Sequence, residues 1–416
     1  MAHRSGIVEY VSRRRGYARG IASVASVLIL GSATGPSGKS FLTDPATAAA
    51  LPAAQGALPK PPANGEMGFV LTSFSPAVHQ GKEDCPEGLA GTVKDNYLLT
   101  LPASERSRLL LPASEVELTT RWKAYVRGPG NTNICTNVEL FDRPIQKTVQ
   151  GKISYGMNLD GDTGDGGKVA GDCAHENFTS PDGEAGIDNQ LYRAQGCTAF
   201  YRGIDGTSGD LLKQADAKLA NGELTLVLLL RGVDSLVKDD DVEVIFASTS
   251  DRPILDSNQK IVEGASFNVS KNPRWRNILH GRIENGVLRT QSADITLNKA
   301  AGFGGIRGQK LEWDFRAGRF QIAFQPDGTI KGLFGGYEPI MNVLTSERTG
   351  GIGIATVANV DCAGMYAALK KYADGLRDPK TGQCTAVSMA HNVTGVPAYV
   401  FDRPQAVALG KSDMLK

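Results

Sequence analysis

Several familiar signatures are missing from this sequence. No two cysteines form a CxxC or CxxCH pair, so the usual mark of a zinc ribbon, a thioredoxin-like redox centre or a c-type haem is absent. There is no HExxH and no GxSxG, which removes the standard zinc-protease and serine-hydrolase motifs. Charge of one sign is missing as well. Lys+Arg 45 against Asp+Glu 44 leaves a net charge of +1, and no long basic run follows the N-terminal segment, so nothing favours nucleic acid. Histidine is scarce. Beyond the N-terminal segment only His79, His175, His280 and His391 remain, and a multi-histidine zinc site would need distant residues. The apolar run from Ile21 to Leu30 is shorter than the ~20 residues a spanning helix needs, so no transmembrane span is expected in the mature chain.

Glycine, by contrast, is abundant. Its 49 residues are roughly 12% of the chain against a usual ~7%. With aromatics at 7% and many turn dipeptides, that composition implies a β-rich, loop-rich body. At 416 residues, one large domain or two are expected. Six cysteines, Cys85, Cys135, Cys173, Cys197, Cys362 and Cys384, make an even, widely spaced set that suits disulfides in an oxidising compartment. Fifteen connectivities are open to six cysteines. Pairing sequence neighbours gives Cys85–Cys135, Cys173–Cys197 and Cys362–Cys384. Each of the last two would close a short loop worth roughly 3 kcal/mol in the chain-entropy model.

The N-terminus carries an export pattern. Arg13, Arg14 and Arg15 precede the apolar run, and Gly31-Ser32-Ala33 supplies small residues at a cleavage-like position. Arg14-Arg15-Gly16-Tyr17 resembles a twin-arginine motif over about six residues. Residues 33–40 (ATGPSGKS) fit a relaxed phosphate-loop pattern. Such a loop needs a helix starting at its Lys-Ser, and Pro45 interrupts one there. The Ala/Pro-rich stretch 44–64 reads as a linker. Divisions follow at 1–33 (export signal), 34–65 (linker), 66–205 (mixed helices and loops with an acidic segment), 206–345 (antiparallel β core) and 346–416 (a helix-loop region packing on that core).

Met67 to Ser75 reads as a strand, and 101–111 and 111–127 as two helices, with Leu118 and Trp122 on one face of the second. A helix is expected over Asp210 to Ala220. Leu224 to Leu230 is a continuous apolar run, the pattern of a strand buried on both faces. Val242, Val244 and Phe246 alternate, Asn285-Gly286 marks a hairpin, and Ala317-Gly318 and Pro326-Asp327-Gly328 mark turns between further alternating runs. Asp361 is placed to cap a helix that Gly375 would stop. The fold class is therefore α+β: an antiparallel β-sandwich or open barrel with short flanking helices, stapled by disulfides. Asp-Arg-Pro recurs at 142–144, 251–253 and 402–404 and reads as a strand-exit turn.

The densest carboxylate cluster lies between Asp160 and Cys197. Asp160, Asp162 and Asp165 stand among glycines, so the chain can curl and aim several oxygens at one point. Ca²⁺ takes 6–8 such ligands. Asp182, Glu184 and Asp188 would complete the shell if the segment folded back on itself. The spacing departs from an EF-hand, and the bland alternative is a solvated loop held by Asx-turns. His175, beside Glu176, offers a transition-metal ligand or an acid–base partner. Trp275, between Arg274 and Arg276, offers a stacking surface for a ligand or simply covers a strand edge.

The runs SPDGEAGIDNQLYR (180–193) and CAGMYAALKKYADG (362–375) resemble exported bacterial proteins of unassigned function, from Gly68 onward. That resemblance brings no mechanism with it. The leading expectation is an exported periplasmic or surface binding protein with an acidic loop that would hold calcium. Its partner would be a small ligand, a polymer or an envelope protein. A hydrolase using carboxylates of 160–188 and a structural subunit of an envelope assembly are the alternatives.

Overall fold

The computed structural model describes residues 56–163, 173, 175–203, 209–299 and 311–402, all within the compact unit Pro45–Lys416. The export pattern, the phosphate-loop-like run, the first part of the linker, Asp165 and Arg403-Pro404 lie outside the described residues.

The elements run in order as β1 (Met67–Pro76), α1 (Val93–Leu99), α2 (Ala103–Leu109), α3 (Glu115–Tyr125), β2 (Phe178–Thr179), β3 (Ala185–Ile187), α4 (Gln190–Gln195) and α5 (Asp210–Ala220). Then come β4 (Thr225–Arg231), β5 (Lys238–Thr249), β6 (Ser266–Asn268), β7 (Arg276–Glu284), β8 (Val287–Thr290), β9 (Ala293–Lys299), β10 (Leu311–Phe324) and β11 (Ile330–Pro339). The last described elements are α6 (Ile340–Val343), α7 (Thr345–Gly350), α8 (Ile352–Thr356), α9 (Cys362–Lys371), β12 (Gly375–Arg377) and β13 (Cys384–Phe401). The expected class, α+β with an antiparallel sheet core, short helices and disulfides, is what the structure has. No described helix is long and apolar enough to cross a membrane.

The sheet returns on itself. Ladders run β1-β4-β5-β7-β8-β10-β11-β13, and β13 then pairs with β1, so these strands make a ring of antiparallel neighbours. Period-two alternation sorts side chains to its two faces. In β4, Leu226, Leu228 and Leu230 join the inner core, while Val227 and Leu229 point outward under Ile261, Phe267 and Val269. That is why the run is apolar without a break. Phe74, Phe246, Phe320 and Phe334 fill the interior with ring centroids 4.9–5.9 Å apart, a spacing typical of favourable aromatic pairs.

The hairpin at Asn285-Gly286 forms with both residues at positive φ, 51° and 80°, as a tight turn with the sheet's twist requires. Ala317-Gly318 does not form the expected turn. The chain passes straight through as β10, with a bulge where Ala317 takes φ 48° and the register shifts. A Cβ at 318 would stand 2.8 Å from the Phe334 ring, so glycine there admits the core aromatic. Gly375 does not stop α9, which ends at Lys371; it opens β12. The largest departure is β13, expected as a helix-loop region and found as the strand that completes the ring. Two of the Asp-Arg-Pro sites do follow strand ends: Asp251 accepts from Asn268, and Asp402 takes both ends of the Arg276 guanidinium.

All six cysteines are bonded, but in none of the expected pairs. The bridges are Cys85–Cys197, Cys135–Cys362 and Cys173–Cys384, with sequence separations of 112, 227 and 211. Proximity in sequence misleads here because each cysteine sits on a segment that packs against a distant element. Cys135 meets the first residue of α9, and Cys173 meets the first residue of β13. A loop of ~100 residues is worth about 5 kcal/mol in the chain-entropy model. Proteolysis of the thiol-blocked, unreduced protein is expected to release three cross-linked peptide pairs with these connectivities. Recovery of Cys173 joined to Cys197 would contradict the structure.

Candidate functional site

Two regions gather chemistry. The first is a cavity of about 190 Å³ at one mouth of the ring. Phe74 from β1, Trp313 from β10 and His391 from β13 form its floor, and Leu191, Phe200 and Met365 from the helical side form its roof. His391 stacks on Phe74 at 4.6 Å and 8°, with Trp313 edge-on at 6.2 Å. Polar groups also line it: Gln195 at the end of α4, Glu338 at the end of β11, and Tyr201, Lys218 and Glu347. Gln195 is 3% exposed, and its Nε2 has no acceptor among the described residues. Burial and the charges of Glu338 and Glu347 push the Tyr201 hydroxyl up, so it stays protonated and able to donate.

The second region lies on the outer side of the β11–β13 pair. Asn189 caps α4 by accepting from the Tyr192 nitrogen, which fixes the preceding residue, Asp188. That carboxylate is fully buried. Its Oδ2 accepts from the Leu159 nitrogen at 2.6 Å and its Oδ1 meets His175 Nε2 at 2.8 Å. His175 Nδ1 lies 3.0 Å from the Cys173 carbonyl. Asp374, between α9 and β12, brings Oδ2 to 3.7 Å from the same Nε2, while its Oδ1 accepts from the Ser388 nitrogen at 2.6 Å. One donor atom each from Asp160, His175 and Asp188 lie within 4.8 Å of one another, and Asp374 meets this trio at His175.

The electrostatics are those of crowded buried carboxylates around one imidazole. Burial pushes Asp374 up to about 7 even though His175 and Ser388 pull the other way. Burial, with the charge of Asp188, also raises Asp160. Burial opposes a charge on His175, but the Asp188 bond, the Asp374 charge and the Cys173 carbonyl lift it to about 9. Tyr337, also raised by burial and by these aspartates, stands beside them.

The sequence-predicted residues are thus partly united. Asp160, Asp188 and His175 converge. Asp162 contributes its backbone here, donating its nitrogen to Asp160 and accepting from Asn158 and Asn177. Asp182 and Glu184 stand exposed on the turn between β2 and β3. Trp275 does not line the cavity; its Nε1 donates to Glu312, which Arg274 also engages. No local pattern marks Asp374, which sits in an Ala-Asp-Gly run that reads as a helix stop. The cavity residues come from strands and helices far apart in sequence, and no local motif marks them.

A third polar group is structural. Asp84 is fully buried beside the Cys85–Cys197 bridge, and its Oδ2 accepts from Gly81 N, Tyr192 Oη, Arg202 Nη2 and His79 Nδ1 at 2.7–3.1 Å. Burial opposes its charge, but the His79, Tyr192 and Arg202 bonds prevail and hold it below its ordinary value of 3.8.

No protein-family model, curated protein or solved structure matches this chain.

Because the folded-state pKa of Asp84 is depressed, its contribution to stability is complete above the unfolded value and fades as pH falls through the folded one. Asp84→Asn is expected to lower stability near neutral pH by about 3 kcal/mol, since it strips the buried Arg202 of its counter-charge. The variant should also flatten the loss of stability below pH 4, as read from urea midpoints between pH 3 and 7. Equal acid sensitivity in the two proteins would show that Asp84 does not carry that loss.

Proposed function

We propose that this is an exported binding protein that holds a compact, mainly apolar organic molecule in the cavity at the mouth of the ring. The observation that carries this reading is the combination of a mainly apolar pocket with a buried amide donor, Gln195 Nε2, that has no acceptor among the described residues. Binding sites are typically apolar pockets with a few oriented polar groups, and barrel mouths are a common place for them. A volume near 190 Å³ exceeds the ~150 Å³ known to admit benzene, so the ligand is of about single-ring size. Glu338 and Glu347 outnumber Lys218 on the wall, which disfavours acids and favours neutral or basic molecules with an acceptor facing Gln195. Export is supported by the pairing of all six cysteines and by the N-terminal sequence pattern.

A second reading, a subunit of an envelope assembly, draws on the exposed Leu99, Leu110, Leu111 and Val116 of the α1–α3 region. Sedimentation separates it from the first, because a subunit of that kind would self-associate through this face.

Trp313 lies on the cavity floor and reports occupancy when Trp122 and Trp275 are replaced by Phe. Benzamide and benzylamine are expected to quench it saturably, and benzoate much less. Gln195→Ala should weaken benzamide binding roughly tenfold, the value of one buried hydrogen bond of about 1.4 kcal/mol. The reading fails if none of the probes binds, or if a cavity-filling Leu191→Trp variant binds them unchanged.

A further inference from the structure

The buried histidine on the outer side of the β11–β13 pair has a problem that a proton on its own ring does not solve. A backbone carbonyl only accepts. His175 Nδ1, 3.0 Å from the Cys173 carbonyl, must therefore carry a proton and donate it. That leaves Nε2 as the nitrogen facing the aspartates. A neutral imidazole would then present a lone pair to Asp188 Oδ1 at 2.8 Å and to Asp374 Oδ2 at 3.7 Å. Something positive has to lie between them.

A proton on Nε2 is the simplest occupant, but it has one N–H to give, and the Asp188 bond takes it. Asp374 Oδ2 would still be fully buried with no hydrogen bond among the described residues, which is its condition in the structure. A stranded buried carboxylate oxygen is expensive. The Arg319 guanidinium donates to the Leu159 carbonyl. A metal ion, unlike a proton, accepts several ligands at once. Asp188 and Asp160 are also arranged as ligands usually are, each using one oxygen on a backbone amide. Asp188 Oδ2 takes Leu159 N and Asp160 Oδ1 takes Asp162 N. Asp374 Oδ1 takes Ser388 N in the same manner. Donation of the second ring nitrogen to a carbonyl is the usual outer-shell support of a metal-bound histidine.

We propose that Asp160, His175, Asp188 and Asp374 bind one divalent first-row transition-metal ion, with Zn²⁺ the best fit. The imidazole nitrogen decides the class. Ca²⁺ prefers an all-oxygen shell of 6–8 ligands, whereas one imidazole with carboxylates suits zinc or its neighbours. The ion would join the Asp160–Asp188 segment to the sheet margin at Asp374, beside the Cys173–Cys384 bridge. This inference does not depend on the cavity or its ligand.

The test uses the full, oxidised protein dialysed against a chelator and then given Zn²⁺, Mn²⁺, Co²⁺ or Ca²⁺ alone. Retention of one equivalent of Zn²⁺ after gel filtration is expected. So is a Tm increase of about 3 °C or more at a hundredfold excess over Kd, and visible d–d absorption with Co²⁺. His175→Ala and Asp374→Asn should abolish retention. Asp160→Asn, at a half-exposed position that leaves the buried core alone, should weaken it at least tenfold, which keeps the test informative if the buried variants do not fold. The proposal is overturned if the wild-type protein retains no transition metal, leaving an imidazolium as the occupant. It is equally overturned if Ca²⁺ binds in preference and Asp160→Asn has no effect on Zn²⁺.

Discussion

From His391 to Gly395 strand β13 is hydrogen-bonded on both edges, to β11 on one side and β1 on the other. The rest of the structure depends on that double pairing. An unpaired edge would leave main-chain donors and acceptors open and the ring incomplete. Closure also defines an inside and an outside. Met389, His391 and Val393 turn inward to the aromatic core and the cavity, while Ser388 and Ala390 turn outward to Asp374 and to the packing of Met157 and Leu159. One pair of strands therefore supplies a wall to both candidate regions, through alternate residues.

The disulfides act at long range. Cys85–Cys197 ties the loop after β1 to the end of α4, next to the Asp84 hub. Cys135–Cys362 ties the region after α3 to the start of α9. Cys173–Cys384 fastens the acidic segment to the start of β13, and this is what brings His175 to Asp374, across a sequence separation of 199 residues between them (374 − 175). A segment so poor in large apolar residues gains little from burial, so a covalent tie and the Asn189 and Asp188 bonds hold it in place of a hydrophobic face.

Much of this fold could be read locally. The apolar run of β4, the alternation of β5 and β10, the Asn285-Gly286 hairpin and the Asp361 cap are each written within a few adjacent residues. What could not be read depends on partners far away. β13 contains Gly395 and Pro397 and polar His391 and Asn392, so its sequence does not advertise a strand; its neighbours on both sides make it one. Ala317-Gly318 looks like a turn until β9 and β11 hold the flanking residues in line. The disulfide partners were hidden for the same reason. At the candidate site, Asp160, His175 and Asp188 belong to a local concentration of ligating groups that the sequence marks together with Asp162, Asp165, Asp182 and Glu184, whereas Asp374 and the cavity residues are assembled only by the tertiary fold.

The claim that most needs a direct measurement is ring closure by β13. In an antiparallel strand, successive amides point to opposite edges. Residue-resolved hydrogen exchange over His391 to Gly395 therefore reads both ladders at once. The account predicts that consecutive amides, odd and even alike, are among the slowest in the protein. Fast exchange at every second position would mean that one edge is open, and would contradict it.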